Sequence, residues 1–113
     1  MSFTPFESTL FSGIFLDPEL ARILSDRSAV EKMVRFERAL ALAEGAAGVI
    51  PAEAAAGIDS ALLDYLPDPI ALAEGSERAG FPVPALVEAL RARVGGTAGG
   101  FLHWGATSQD VMD

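Results

Sequence analysis

Proline and glycine residues divide this chain of 113 residues into short segments, most of which repeat apolar side chains every three or four positions. Pro disrupts a helix interior but suits the first helical position, and Gly often follows the last one. The spacing therefore predicts short helices joined by tight turns. Half of the residues are hydrophobic but only 8% are aromatic, so the core must consist mainly of Leu, Ala, Val and Ile. We predict an all-α domain.

The longest predicted helix begins with Ser28 and Glu31, which have the spacing of a capping box, and ends at Gly48. Apolar residues recur along it at helical spacing and form one stripe that is expected to pack against a neighbouring helix. This predicted stripe comprises Met33, Phe36, Leu40, Ala43 and Ala47.

Four shorter helices are predicted from the same signals. The first has Asp17 as N-cap and Pro18 at its first position, and the later ones begin near Pro51 and Pro69 or end at Gly95. The glycine-rich stretch 95–100 is predicted to be a flexible loop. Residues 1–16 are predicted to form an extended arm, whose aromatic side chains would cover another surface: Phe3, Phe6, Phe11 and Phe15.

Charge and composition narrow the possible partners. Sixteen acidic and eight basic residues give a net charge of −8, which provides no basic stripe for nucleic acid. The absence of cysteine excludes disulfides and thiolate chemistry, and a single histidine forms no metal-binding cluster. No apolar run reaches the roughly 18 residues of a membrane span, and the acidic N-terminal stretch does not look like a secretory signal. A cytoplasmic protein without nucleic-acid or membrane partners is expected.

The stretch "HWGATSQDVMD", residues 103–113, concentrates the polar chemistry of the chain. Thr107 and Asp110 have the spacing of a capping box, so a helix is predicted to begin near Ser108. The start of a helix presents free N–H groups and a partial positive charge, which favour a carboxylate or phosphate. Together with the side chains of Gln109 and His103, these groups predict an anion-binding corner.

The residues alone are also compatible with a purely structural role for this stretch, in which it caps a helix and binds no ligand. A Thr-x-x-Asp spacing is common at helix starts that bind no ligand. A lone histidine is more often structural than catalytic, and Trp104 would most often be a packing residue. Local composition therefore does not decide between a plain helix cap and an anion site.

The same stretch resembles the first signature region of the fumarase/aspartase superfamily, and it is most similar to the cycloisomerase branch. Three further stretches are similar to the start of those cycloisomerases: "LFSGIFLDPELARILSD", "ALALAEGAAGVIPAEAAAGI" and "AGFPVPALVEALR". The resemblance covers all 113 residues in order. It implies that 1–113 form the N-terminal helical domain of the L-aspartase-like fold, lacking the central helical bundle. Residues 107–113 would begin a helix that leads into that bundle.

The resemblance also implies a function. Superfamily members are homotetramers whose active sites combine three signature regions from three subunits, and this chain carries only the first. Thr107 and Ser108 would bind a carboxylate of a small tricarboxylate substrate, His103 would lie in the substrate pocket and Gln109 would help to select the substrate. No catalytic residue, metal or cofactor is implied within 1–113. The chain alone is therefore expected to be inactive.

Two other interpretations remain. The chain could belong to an adenylosuccinate lyase or to another lyase of the superfamily, in which case a different substrate would be consumed. It could instead be a non-catalytic helical interaction module that binds partner helices through its aromatic arm and alanine-rich surface.

Overall fold

The fold is entirely helical in the part that a computed structural model describes, residues 4–113 without the side chain of Phe15. The predicted all-α class is confirmed, whereas Phe3 and the Phe15 ring lie outside the described residues. Eight helices and no strand occur in this range. They are α1 Ser12–Phe15, α2 Pro18–Ile23, α3 Asp26–Ala46, α4 Ala52–Leu62, α5 Pro69–Ala79, α6 Val83–Val94, α7 Gly96–Gly99 and α8 Ser108–Met112.

The helices α3 and α4 form the most extensive contact, and α6 packs against α4, α5, α7 and α8. Gly45 of α3 lies so near α4 that a Cβ atom built on it would be 2.5 Å from the Cβ of Ala55. An ion pair of 2.9 Å between Arg38 and Asp59 also joins these two helices. The shared core consists of Val30, Val34, Ala41, Ile50, Ala55, Ile58, Leu62, Leu72, Val83, Leu86, Val87, Leu90, Leu102 and Val111.

Two short helices have the predicted end signals. The Asp17 carboxylate accepts the backbone N–H groups of Glu19 and Leu20, which confirms Asp17 as the N-cap of α2. Helix α5 begins at Pro69, as predicted, and Gly80 follows its last residue with a left-handed φ of 83°. These boundaries were predictable because each depends on neighbours in sequence.

The predicted start of α3 is wrong by three residues. Ser25 is the N-cap, since its hydroxyl accepts the backbone N–H of Ser28 at 3.2 Å. Ser28 therefore lies inside the first turn, and Glu31 forms an ion pair with Arg27. The earlier serine precedes a run that is already helical, so it caps the free N–H groups first.

The predicted stripe of α3 is only partly right, because Met33 and Phe36 pack against the core without being its fully buried members. The stripe that is buried in the core contains the acid Glu37. A prediction based on hydrophobicity alone would therefore not choose this stripe. Its members are Val30, Val34, Glu37 and Ala41. The predicted stripe lies beside it, with Met33, Phe36 and Leu40 half-buried and Ala43 and Ala47 exposed.

The glycine-rich stretch after α6 is not the predicted loop, because its residues 96–99 form helix α7. Gly99 is buried, and a Cβ atom at this position would lie 3.0 Å from the carbonyl oxygen of Arg91. The small residue thus permits close packing between α7 and the end of α6.

Residues 4–16 of the predicted arm consist of turns and α1. No side chain described between residues 4 and 24 is buried. Large apolar side chains remain exposed here, among them Leu10, Ile14 and Leu24. Within residues 4–113, no helix combines the length and apolar character that crossing a membrane requires.

Candidate functional site

The loop between α7 and α8 turns the His103 side chain toward α3. His103 has a φ of 62°, in the left-handed region that non-glycine residues rarely occupy. On one side, Leu102 is fully buried and its carbonyl accepts a hydrogen bond from Arg91 Nη2 at 3.3 Å. On the other, the rings of Phe101 and Trp104 have their centroids 5.2 Å apart. These contacts hold the strained backbone of His103 in place.

The imidazole of His103 contacts the carboxylate of Glu37, with 2.5 Å between Nδ1 and Oε1. The Glu37 side chain is completely buried, and its second oxygen has no hydrogen-bond partner among the residues that the structure describes. Burial raises the pKa of Glu37, while the hydrogen bond and charge of His103 and the charge of Arg91 lower it. The net direction is upward because desolvation dominates.

A second acid, Glu44, lies two turns further along α3. Its Oε1 is buried and has no partner within the described chain. Burial raises the pKa of Glu44, and the charge of His103 opposes this effect. The residue borders a cleft of about 510 Å³ whose other lining residues are Phe36, Leu40, Val49, Trp104, Gly105, Ala106, Asp110 and Asp113.

Helix α8 begins at Ser108 with the predicted capping box. Asp110 Oδ2 accepts the backbone N–H of Thr107 at 2.9 Å and the Thr107 hydroxyl at 3.1 Å. These two hydrogen bonds lower the pKa of Asp110. The Thr107 oxygen is thereby fixed at the start of the helix.

The four residues predicted to bind substrate fall into two places. Thr107 and Gln109 are exposed and Ser108 is half-buried, all at the start of α8. The Gln109 amide donates to Asp113 Oδ1 at 2.6 Å. His103 precedes them in the same loop, but its ring is turned to Glu37. The structure thus places three predicted residues side by side on an open surface, and their binding role remains a prediction.

Sequence reasoning missed Glu37 and Glu44. Glu37 carries a detectable signal, because it lies three residues after Val34 and four before Ala41, in line with a buried stripe. A fully buried acid needs a partner. That partner is 66 residues away in sequence, so spacing alone did not identify it.

The side chains that the structure describes around His103 do not form a recognisable metal site. Across residues 4–113, no group of three or more His, Cys, Asp or Glu side chains is placed to hold a metal ion. The charged groups near His103 are instead the carboxylates of Glu37, Glu44 and Asp110, each of which interacts with the charge of His103. The guanidinium of Arg91 interacts with the charge of Glu37.

This helical fold is similar to that of a solved fumarate lyase. A fumarate lyase from Mesorhizobium sp. BNC1 superposes with a TM-score of 0.82 at 42% identity, over 87% of this chain and 23% of that one. No protein-family model matches the chain.

The chain is also similar to 3-carboxy-cis,cis-muconate cycloisomerases, in agreement with the resemblance of its terminal stretch. Four curated cycloisomerases are 39 to 46% identical to it. The relative from Pseudomonas aeruginosa is 43% identical over 107 residues, which cover 92% of this chain and 23% of the relative. The crystal structure of the cycloisomerase from Acinetobacter calcoaceticus sp. ADP1 gives a TM-score of 0.86 at 38% identity, over 92% and 25% of the two chains. The chain thus spans about a quarter of the length of these relatives.

Proposed function

We propose that this chain is the N-terminal helical domain of an enzyme that lactonises 3-carboxy-cis,cis-muconate to 4-carboxymuconolactone in protocatechuate breakdown. The observation that carries the proposal is the identity of 39 to 46% to four cycloisomerases over 87 to 94% of the chain. The proposal includes a homotetramer in the cytoplasm, as the superfamily resemblance implies.

In this proposal, the start of α8 binds a carboxylate of the substrate. Thr107 and Ser108 provide hydroxyl groups beside the free backbone N–H groups of the first helical turn. Hydrogen bonds to a charged group contribute about 1.5–3 kcal/mol each, so a few such donors hold one carboxylate firmly. Gln109 would help to select the substrate and His103 would face it from the loop.

The reaction closes a ring within one substrate molecule. A carboxylate oxygen forms a bond to one carbon of a C=C double bond, and the electron pair of that double bond passes to the neighbouring carbon, which then takes up a proton. Negative charge develops on the substrate before the proton arrives, and preorganised donors stabilise it. Ser108 would contribute a donor, and Thr107 would contribute one when its hydroxyl proton turns from Asp110 to the substrate, whereas no residue of 1–113 is proposed as the acid or base.

The proposal predicts that residues 1–113 alone show no turnover. In the isolated chain, Thr107 and Gln109 are exposed to solvent, so water competes for the same hydrogen bonds. Water exclusion and a proton donor would have to come from other parts of the enzyme. Measurable lactonisation by purified 1–113 would refute this point.

The test is an ultraviolet assay of the gene product that contains residues 1–113 in its full reading frame. Loss of the 3-carboxy-cis,cis-muconate chromophore is the expected result, with adenylosuccinate as the parallel substrate. Cleavage of adenylosuccinate without loss of muconate would assign the chain to a sister lyase. Inactivity with both substrates would favour the non-catalytic helical module.

A further inference from the structure

The buried Glu37–His103 pair has a role beyond joining α3 to the loop before α8. We propose that Glu37 is a positioning residue, which fixes the proton of the neutral His103 ring on Nδ1 and leaves Nε2 for the substrate. The role of Nε2 toward the substrate rests on the proposed function. The position of the proton on Nδ1 is independent of it.

Stability gives a poor account of this pair. Glu37 occupies a position between Val34 and Ala41 on the buried stripe of α3, where an apolar side chain would fill the core. Its carboxylate is completely buried, and Oε2 has no partner among the described residues. Buried ion pairs are often no more stabilising than apolar residues of similar volume. The acid at this position therefore calls for a functional explanation.

The backbone conformation of the loop between α7 and α8 also favours the contact between His103 and Glu37. His103 adopts a left-handed φ of 62°, and such conformations cost about 1–3 kcal/mol in a non-glycine residue. The neighbouring residues Leu102 and Trp104 are each held by a contact of their own, to Arg91 and to Phe101. The strained residue is thus held in an orientation that brings Nδ1 to Glu37.

The hydrogen bond determines which ring nitrogen remains available. A neutral imidazole carries one proton, and a carboxylate that accepts it from Nδ1 leaves the lone pair on Nε2. The His103 side chain is 14% exposed, so the ring is not completely enclosed by the described residues. Nε2 then accepts a proton or, once protonated, donates to an anionic substrate.

Glu37 is the group that performs this function, in preference to the other charges nearby. Glu44 and Asp110 interact with His103 through charge alone, and Arg91 acts on Glu37 in the same way. Among the side chains described, Glu37 is the hydrogen-bond partner of the His103 ring. Glu44 therefore provides a matched control on the same helix.

The single histidine of the chain makes the test direct. Histidine labelled with ¹⁵N in residues 1–113 gives one pair of ring nitrogen signals, whose long-range ¹H–¹⁵N couplings identify the protonated nitrogen. The neutral wild-type ring should carry its proton on Nδ1. A wild-type ring protonated on Nε2 would overturn the proposal, whatever the variants do.

Three variants separate positioning from packing. Glu37→Leu should shift the ring to the Nε2-protonated form that free histidine prefers, and retention of the Nδ1 form would contradict the proposal. Glu37→Gln keeps the size of the side chain and an accepting oxygen, so it should retain the Nδ1 form. Glu44→Gln should also leave the ring proton on Nδ1. A move of the proton to Nε2 in this control would show that nearby charge, and not the hydrogen bond to Glu37, determines its position.

Activity of the full-length enzyme provides a second, independent result. Glu37→Leu should lower kcat/KM about 10- to 100-fold, the range typical of residues that orient a functional histidine, with substantial rescue in Glu37→Gln. Equal losses in both variants would contradict positioning by hydrogen bond. Since the ring signals are recorded without substrate, failure of the proposed lactonisation would leave the NMR test intact, and the two failures are distinguishable.

Discussion

Residues 4–24 and the helices α3–α7 contain similar large apolar side chains but bury them very differently. In α4 and α6, Ile58, Leu62, Leu86 and Leu90 are at most 1% exposed. Between residues 4 and 24, no described side chain is buried, and Leu24 is 73% exposed. Apolar composition thus does not decide burial by itself, because each side chain also needs a facing surface. One chain provides such surfaces for α3–α7 and leaves the N-terminal segment uncovered.

The largest expected effect comes from the core of the helical body. Leu90→Ala removes a completely buried side chain and leaves a cavity, so it should lower the free energy of unfolding by about 2–5 kcal/mol. Urea denaturation followed by circular dichroism measures the change. A loss below about 1 kcal/mol would show that α6 is not the centre of the core.

A paired glycine experiment tests the close contact of α3 with α4. Gly45→Ala places a Cβ atom 2.5 Å from that of Ala55, so it should destabilise the chain by about 1–3 kcal/mol. Gly57→Ala is the matched control, since its Cβ atom would lie 3.5 Å from Ala98, an ordinary contact. The higher helix propensity of alanine should stabilise this control by up to about 1 kcal/mol. Equal effects of the two substitutions would argue against the close approach.

A smaller effect is expected in the pH dependence of stability. Burial raises the pKa of Glu37 above its unfolded value of 4.5, so the folded chain retains this proton to a higher pH than the unfolded chain. Its favourable contribution is complete below about pH 4.5 and is lost as the pH rises through the folded pKa. Relative to Glu37→Gln, the wild type should therefore lose stability as the pH rises from about 4.5 through the folded pKa of Glu37.

Denaturation curves of both chains across this range measure the difference. Glu44→Gln should likewise lose less stability than the wild type as the pH rises, because burial also raises the pKa of Glu44. Parallel pH profiles of the wild type and Glu37→Gln would contradict the account of Glu37 as a buried, desolvated acid.

The smallest expected effect lies in the N-terminal segment. Leu24→Ala truncates a side chain that is 73% exposed, and surface substitutions usually change stability by less than about 0.5 kcal/mol. The same urea measurement as for Leu90→Ala allows direct comparison. A loss as large as that of Leu90→Ala would mean that the segment packs on a surface in solution and would remove the contrast between the two regions.

The sequence predicts those parts of the fold that depend on near neighbours. The cap at Asp17 and the boundary at Pro69 are confirmed, because a proline or a carboxylate at a helix start acts within one turn. The stripe of α3 was predicted one position aside because the buried stripe contains an acid, Glu37, whose partner His103 is distant in sequence. The helix α7 was missed because close packing at Gly99, rather than helix propensity, favours it.

The candidate site shows the same division. The helix start at Ser108 and its capping box with Asp110 were predictable from a spacing of three residues. The orientation of His103 was not, since it depends on a left-handed backbone and on an acid 66 residues earlier. Long-range pairs of this kind have no local signal apart from an acid in an apolar stripe.

The central claim is that the start of α8 binds a carboxylate of the muconate substrate. The most direct test is the lactonisation rate of the full-length enzyme with Thr107→Ala and Ser108→Ala combined, with Thr97→Ala, at an exposed position of α7, as the control. Loss of two hydrogen bonds to a charged group, at about 1.5–3 kcal/mol each, should lower kcat/KM by more than about 100-fold, with the control unchanged. A double variant as active as the wild type would contradict the claim and leave the motif as a helix cap.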